Sequence, residues 1–363
     1  VEFNDVRLQY ESLSDEIDTA SRRVFAGGRY ILGPQTAQFE EAFARYCRAQ
    51  DAVGVGSGTD ALVIALRAFG VGPGDEVIVP AVSAAATALA VAQIGAKPVF
   101  ADISPEDFNI DPALCFERRT ARTKAIVPVH LYGMPARLKE IARVGVPILE
   151  DASQAHGSDA AWGRCGSFGR AAAFSFYPTK NLGAYGDGGM IVTSDAHVAK
   201  QARLLRNYGQ HENYSSQMVG TNSRLDELHA AILRVKLRKL DEWNARRRRL
   251  AARYRSALGD LPIGLQAETG SANGHLFVIT TPERDRLRGH LAGLDIPSLV
   301  HYPIPLPRQK AFAEFTPARC PNADLLCSRV LSLPMHAFLT DGEVDRVIES
   351  VTGFFKSSSG TVA

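Results

Sequence analysis

Short apolar runs alternate with stretches of helical period through the first two-thirds of the chain. Ala52–Val55, Glu76–Pro80, Pro98–Asp102, Lys124–Val129 and Pro147–Asp151 are brief and rich in Val, Ile and Ala, the pattern of strands buried on both faces. Between them the period changes. Leu13, Ile17, Ala20 and Val24 fall at helical spacing over residues 11–26, and Phe39, Ala42, Phe43 and Tyr46 form a second stripe beyond the Gly27-Gly28-Arg29-Tyr30 loop. Ala84–Ile94 reads as a helix between two of the strands. This alternation predicts an α/β fold, a mostly parallel sheet with helices on both faces, which binds ligands at the carboxyl ends of its strands.

The remainder is less regular. Residues 223–258 predict one long helical stretch with Leu225, Leu228, Ile232, Val235, Leu240 and Trp243 inward, and Arg246-Arg247-Arg248-Arg249 read as a solvated face rather than an anion site. Residues 259–274 read as a connection. His275–Ile279 then predicts a strand, Glu283–Leu291 a helix, Asp341–Phe355 a last helix, and residues 356–360 a frayed tail. A large domain over residues 1–240 and a smaller one over 241–363 are expected, with no internal repeats.

Composition narrows the class. The 363 residues are 45% hydrophobic and 22% charged with a formal net charge of +2, the balance of a globular enzyme without the field that would favour nucleic acid. No apolar run is long enough to span a membrane, and Val1-Glu2-Phe3-Asn4-Asp5 does not resemble a secretory signal. Cys47, Cys115, Cys165, Cys320 and Cys327 are odd in number and lack C-x-x-C spacing, so reduced thiols, no metal site and a cytoplasmic location are expected.

Three stretches carry candidate chemistry. Ala171–Phe176 is apolar enough for a buried strand; the chain then breaks at Pro178, presents Lys180 and passes into Gly183, Gly186, Gly188 and Gly189. An amine at the mouth of a buried strand loses solvation, and its lowered pKa makes it a nucleophile toward an aldehyde. A solvated loop lysine is the plainer alternative. Gly54-Val55-Gly56-Ser57-Gly58-Thr59-Asp60 leads a strand through glycines into a helix ending near Ala68, where free N–H groups and the helix dipole suit a phosphate. A simple cap by Thr59 or Asp60 would look similar. Asp151 closes an apolar strand, where it could cap a following turn or meet a protonated pyridine nitrogen. Pyridoxal phosphate needs a lysine for its aldehyde, an acid for its ring nitrogen, and a helix start with hydroxyls for its phosphate. Lys180, Asp151, and Gly58-Thr59 with Ser175 match that set.

The segments GSGTDAL (56–62), EDASQAHG (150–157), FSFYPTKNLGAYGDGG (174–189), LRNYGQ (205–210), GTNSRLDELHAAIL (220–233) and VLSLPMH (330–336) resemble the DegT/DnrJ/EryC1/StrS family of pyridoxal-phosphate sugar aminotransferases. The resemblance implies the aspartate-aminotransferase-like fold type I: a large domain with a mostly parallel sheet flanked by helices, plus a smaller C-terminal α+β domain. It implies that Lys180 carries the cofactor's aldehyde and moves the proton, that Asp151 holds the pyridinium proton, and that Gln154 lies beside the phenolic oxygen. Gly58, Thr59 and Ser175 would bind the phosphate, with Asn222 reaching the same phosphate from the other subunit of a homodimer whose sites straddle the interface. Tyr30, Tyr208 and Tyr302 would fall near the sugar. L-Glutamate would give its amino group to a nucleotide-linked keto sugar.

Two departures stand out. Ala84 occupies the place where many members carry an aromatic that stacks on the pyridine ring. Pro307, in Tyr302-Pro303-Ile304-Pro305-Leu306-Pro307-Arg308-Gln309, replaces the usual histidine of YPxPLHLQ. The word NLGAYGDGG is similar to members that aminate a 3-keto sugar, which implies C3 amination of a dTDP-3-keto-6-deoxyhexose. The alternatives are a UDP-linked 3-keto sugar, a 4-keto sugar, a sugar dehydratase on the same fold, and a non-catalytic regulatory homologue. The dehydratases carry histidine in place of the lysine, so Lys180 argues against that reading, and an intact lysine, acid and phosphate loop argue against the regulatory one.

Overall fold

A computed structural model describes residues 1–212, 214–315 and 319–359. Strands β1 (Asp51–Val55), β2 (Glu76–Pro80), β3 (Lys97–Ala101), β4 (Thr123–Ile126) and β5 (Leu149–Asp151) fall where the apolar runs predict them. A two-stranded ribbon, β6 (Asp159–Ala160) with β7 (Gly163–Arg164), precedes β8 (Ala171–Ser175) and β9 (Gly189–Thr193). Hydrogen bonding orders one half of the sheet β1-β9-β8-β5 and the other β3-β2-β4. Parallel bridges Ile126↔Ile148 and Val129↔Asp151 join the halves along β4 and β5. Only β9 runs against its neighbours, antiparallel to both β1 and β8.

The pleat sends alternate side chains to opposite faces, and each face has its own core. Val53, Val55, Val77, Val79, Ala171, Ala173 and Ile191 pack against the helix Gly58–Ala68 and its neighbours on one side. On the other, Ala52, Ala172, Phe174, Met190 and Val192 meet Phe39 and Phe43 of the helix Pro34–Cys47. Burial on both faces is why these strands read as continuous apolar runs.

After the hairpin β10 (Gln210–Glu212) and β11 (Ser215–Ser216), the stretch predicted as one helix divides into Glu227–Leu237 and Leu240–Leu258. Within the second, Arg247 is 1% exposed, whereas Arg246 reaches out to Asp341 at 2.8 Å. The arginine run is therefore not a uniformly solvated face. The chain ends in a three-stranded antiparallel sheet, β12 (Gly264–Leu265), β13 (Phe277–Thr280) and β14 (Val330–Leu333), which packs with Tyr254, Leu287, Val344, Val347 and Val351 into a separate core. The last helix runs Asp341–Ser359, past the predicted end at Phe355; Gly360 lies outside the described residues. All five cysteines are buried free thiols. Among the described residues, no helix is long and apolar enough to cross a membrane.

Candidate active site

The carboxyl ends of β1, β5 and β8 open on one cleft, lined by Gly58, Thr59, Ala84, Asp151, Gln154, Ser175 and Lys180, with Ser57, Ser83, Ser153, Tyr177 and Asp187 around them. Five predicted cofactor contacts, from Gly58 to Ser175, are thus gathered by the topology from three separate stretches of the chain, together with the predicted nucleophile.

Ser57 caps the helix Gly58–Ala68, its Oγ accepting from the Asp60 N–H at 3.1 Å. The first intrahelical bond runs from the Ala61 N–H to the Ser57 carbonyl, so the N–H groups of Gly58 and Thr59 precede the first intrahelical donor and are left for a ligand. Glycine is required at 58. A Cβ there would stand 2.6 Å from the Cβ of Ser175, and one at Gly189 would stand 2.2 Å from the carbonyl oxygen of Ser57. These two close approaches bring the helix start beside the Ser175 hydroxyl, a cradle of the size and donor chemistry that a phosphate monoester needs.

Asp151 is 4% exposed. Its Oδ2 accepts from the Thr87 hydroxyl at 2.8 Å and its Oδ1 from the Ser153 N–H at 3.2 Å. Glu150, one residue earlier, points to the opposite face and is wholly buried. It accepts from the N–H groups of Gly166, Phe168 and Gly169 and from His130 Nε2, fixing the loop that enters β8. His130 Nδ1 accepts from the Ala136 N–H at 2.9 Å, so its proton lies on Nε2. Adjacent acids on one strand therefore divide the work: Glu150 holds the scaffold and Asp151 faces the cleft.

Gln154 is held from two sides. Its Oε1 accepts from the Tyr132 N–H at 2.6 Å and its Nε2 donates to the Tyr302 hydroxyl at 3.0 Å. Burial pushes the Tyr302 hydroxyl up to about 12, so it remains a neutral phenol. Lys180 sits half-buried on the turn after β8, its N–H bonded to the Tyr177 carbonyl at 2.8 Å. Burial lowers the amine to about 8, against the opposing pull of Asp151. Around it burial, reinforced by the Lys180 charge, drops His156 to about 3 and His301 to about 4, and takes His275 well below the ordinary range. Three imidazoles near the amine are thus uncharged, and desolvation rather than a neighbouring cation makes the lysine nucleophilic.

The pH dependence of that amine is open to measurement. With the apoenzyme, the rate at which added pyridoxal phosphate develops its lysine-bound visible band is expected to rise about tenfold per pH unit below 8 and to level off above it. A rate that still climbs beyond pH 10 would mean an ordinary solvated lysine.

Asn222, Tyr30 and Tyr208 do not line this cleft. They are sewn to a single strip: Asn207 bridges Asn222, the Tyr208 N–H donates to the Thr221 carbonyl, and the Glu227 N–H donates to the Tyr30 carbonyl. Ser223 fastens the strip to the glycine turn that leads into the helix Gly58–Ala68, accepting from the Gly56 N–H at 2.9 Å and donating to Asp60 Oδ2 at 2.8 Å. Asn222 itself is exposed, as are Tyr30 and Tyr208. Ala84 does line the cleft, where it offers only a methyl group. Sequence reasoning missed Ser57, Ser83, Thr87 and Ser153. The i,i+4 pair Ser83 and Thr87 at a helix start was the one local signal for the hydroxyls.

The donor set fits pyridoxal phosphate: a desolvated amine, a carboxylate with donors on both oxygens, and a glycine cradle with two free N–H groups. Comparison with known proteins agrees. The profile of the DegT/DnrJ/EryC1/StrS aminotransferase family matches residues 11–352. The chain is 48% identical over 360 residues to the dTDP-3-amino-3,4,6-trideoxy-alpha-D-glucose transaminase of Streptomyces venezuelae, covering 97% of this chain and 95% of that one. It is 39% identical over 358 residues to the UDP-2-acetamido-2-deoxy-3-oxo-D-glucuronate aminotransferase of Pseudomonas aeruginosa, covering 97% and 99%. The crystal structure of S. venezuelae DesV superposes with a TM-score of 0.96 at 46% identity, covering 98% of each chain.

Proposed function

We propose that this chain, which belongs to the DegT/DnrJ/EryC1/StrS aminotransferase family, moves the amino group of L-glutamate to the C3 keto carbon of a dTDP-linked 3-keto-6-deoxyhexose. It is an aminotransferase of fold type I that uses pyridoxal 5′-phosphate. The observation that carries the reading is the meeting of Lys180, Asp151 and the Gly58–Ser175 cradle on one cleft. The C3 assignment rests on the Asn181–Gly189 word and on the relative from S. venezuelae.

Bound pyridoxal phosphate supplies an aldehyde that takes up the amino group and a ring that delocalises carbanion charge. This chain's own residues do the rest. Gly58 and Thr59 N–H groups and the Ser175 hydroxyl hold the phosphate at the helix start. Asp151 keeps a proton on the ring nitrogen, and Gln154, steadied by Tyr302, lies at the phenolic oxygen. The Lys180 amine, lowered to about 8, is partly neutral near physiological pH; it removes the α-proton of glutamate and later delivers one to the sugar carbon.

A homodimer completes the site in this proposal. Asn222 stands exposed on a strip bonded to its own glycine loop; Tyr208, Tyr214 and Val219, close to it in the chain, and Tyr30, joined to the strip through Glu227, leave apolar surface uncovered, 97% exposed at Tyr214. A second copy would bury that surface and receive Asn222 at its phosphate, with Tyr30 and Tyr208 toward the sugar. The proposed division of labour is a cofactor-binding domain over residues 1–240 and a smaller domain over 241–363 that brings Tyr302 to Gln154.

The test is absorbance of the holoenzyme on addition of L-glutamate. Loss of the visible band with one equivalent of 2-oxoglutarate is expected, followed by recovery on a dTDP-3-keto-6-deoxyhexose. Recovery only with a UDP-linked 3-keto sugar or a 4-keto sugar would move the substrate, and a band indifferent to glutamate would remove the donor.

A further inference from the structure

We infer that Thr87, backed by Ser83, is a positioning residue that orients the Asp151 carboxylate toward the ring nitrogen of the cofactor. This rests on the proposed pairing of Asp151 with that nitrogen. Thr87 lies one turn after Ser83 at the start of the helix Ala86–Gln93, and the three side chains are 1%, 3% and 4% exposed for Thr87, Ser83 and Asp151. The Thr87 and Ser83 hydroxyl oxygens stand 3.0 Å apart, and the Thr87 oxygen is 2.8 Å from Asp151 Oδ2.

Proton counting gives this chain a direction. A carboxylate only accepts, so the single hydroxyl proton of Thr87 is committed to Asp151. Thr87 can then only accept from Ser83, whose own proton must point at it. The result is a buried relay, Ser83 to Thr87 to Asp151 Oδ2, opposed on the other oxygen by the Ser153 N–H at 3.2 Å. One donor on each oxygen fixes rotation of the carboxylate and leaves its remaining lone pairs for the cleft. Ser83 and Ser153 line the cleft with Asp151, whereas Thr87 does not and acts through Asp151. A β-branched side chain in a helix has few χ1 choices, which suits a donor that must keep one direction. Removing the hydroxyl would leave Oδ2 buried without that donor.

The test uses the holoenzyme reconstituted with pyridine-¹⁵N pyridoxal phosphate, reading the ring-nitrogen chemical shift and the cofactor dissociation constant. Wild type is expected to show a protonated ring. Thr87→Val, which keeps shape and loses the donor, is expected to shift the signal toward the unprotonated form and weaken cofactor binding about tenfold. Thr87→Ser is expected to restore both to within about threefold of wild type. A Thr87→Val signal and affinity equal to wild type would overturn the inference. An unprotonated ring in wild type would instead overturn the Asp151 reading beneath it. Should Thr87→Val not fold, Ser83→Ala decides, because it removes only the outer link. A smaller shift in the same direction supports the relay, and an unchanged signal refutes it.

Discussion

Lys180→Ala is expected to retain pyridoxal phosphate and to lose turnover by about 10⁴-fold or more. Two features separate binding from chemistry here. The cradle proposed for the phosphate joins the helix start at Gly58 and Thr59 to Ser175 on β8, the Asp151 carboxylate ends β5, and neither is built from the lysine side chain. The amine, in contrast, has no substitute. His156, His275 and His301 are the imidazoles electrostatically coupled to it, and burial holds all three neutral and poorly basic. None is basic enough to take over the proton transfer assigned to the amine. Equilibrium dialysis would read cofactor retention, and 2-oxoglutarate release from glutamate would read turnover. A variant that turns over within tenfold of wild type would mean that another group moves the proton. A variant that binds no cofactor would mean that the covalent link, not the cradle, supplies most of the affinity.

The parts of the molecule legible in the sequence are those specified locally. Strands β1 to β5 and β8 announce themselves as apolar runs because both faces of the sheet are covered, and Gly58 shows itself because a helix start with a phosphate-sized cradle tolerates no Cβ. Strand β9 was not legible. Gly189–Thr193 follows directly on Gly186-Asp187-Gly188, and its reversed direction is settled by pairing with both β1 and β8. The break between Glu227–Leu237 and Leu240–Leu258 was hidden for a related reason. Arg238 and Lys239 are good helix formers, so no Gly or Pro marks a boundary that packing imposes. Arg247 lies among identical neighbours, and only the tertiary fold distinguishes the one that is buried.

The site divides along the same line. Lys180 and Asp151 could be named because each breaks a local rule, an amine and an acid placed where apolar runs end. Thr87 breaks none; a threonine inside a helix attracts no attention until a strand 64 residues further along brings Asp151 to its hydroxyl. Tyr30, Tyr208 and Asn222 lie on one strip outside the cleft, and nothing in their local sequence distinguishes a residue that serves its own subunit from one that serves a partner.

Asp151→Asn is the second large effect expected, a fall of about 10²–10⁴ in the rate of the glutamate half-reaction. The amide keeps the size of the side chain and changes two things. It carries no charge to hold a pyridinium proton, so the electron sink weakens at the point where carbanion charge develops. It also offers one acceptor where the fold supplies donors to both oxygens, Thr87 on one side and the Ser153 N–H on the other. The backbone N–H cannot turn, so the amide oxygen must face Ser153 and the amide NH₂ must face Thr87. Thr87 then becomes an acceptor and gives its proton to Ser83, reversing the whole hydroxyl chain. The variant should fold, because the amide, Thr87 and the Ser153 N–H keep their partners and the Ser83 proton freed by the reversal can turn to the cleft that Ser83 lines, while its ring nitrogen loses both the charge and the orientation that favoured protonation. Stopped-flow absorbance with glutamate measures the rate, and thermal unfolding of the apoenzyme checks the fold. A rate within tenfold of wild type, with the fold intact, would remove Asp151 from the ring nitrogen and leave it as the cap of the turn that follows β5.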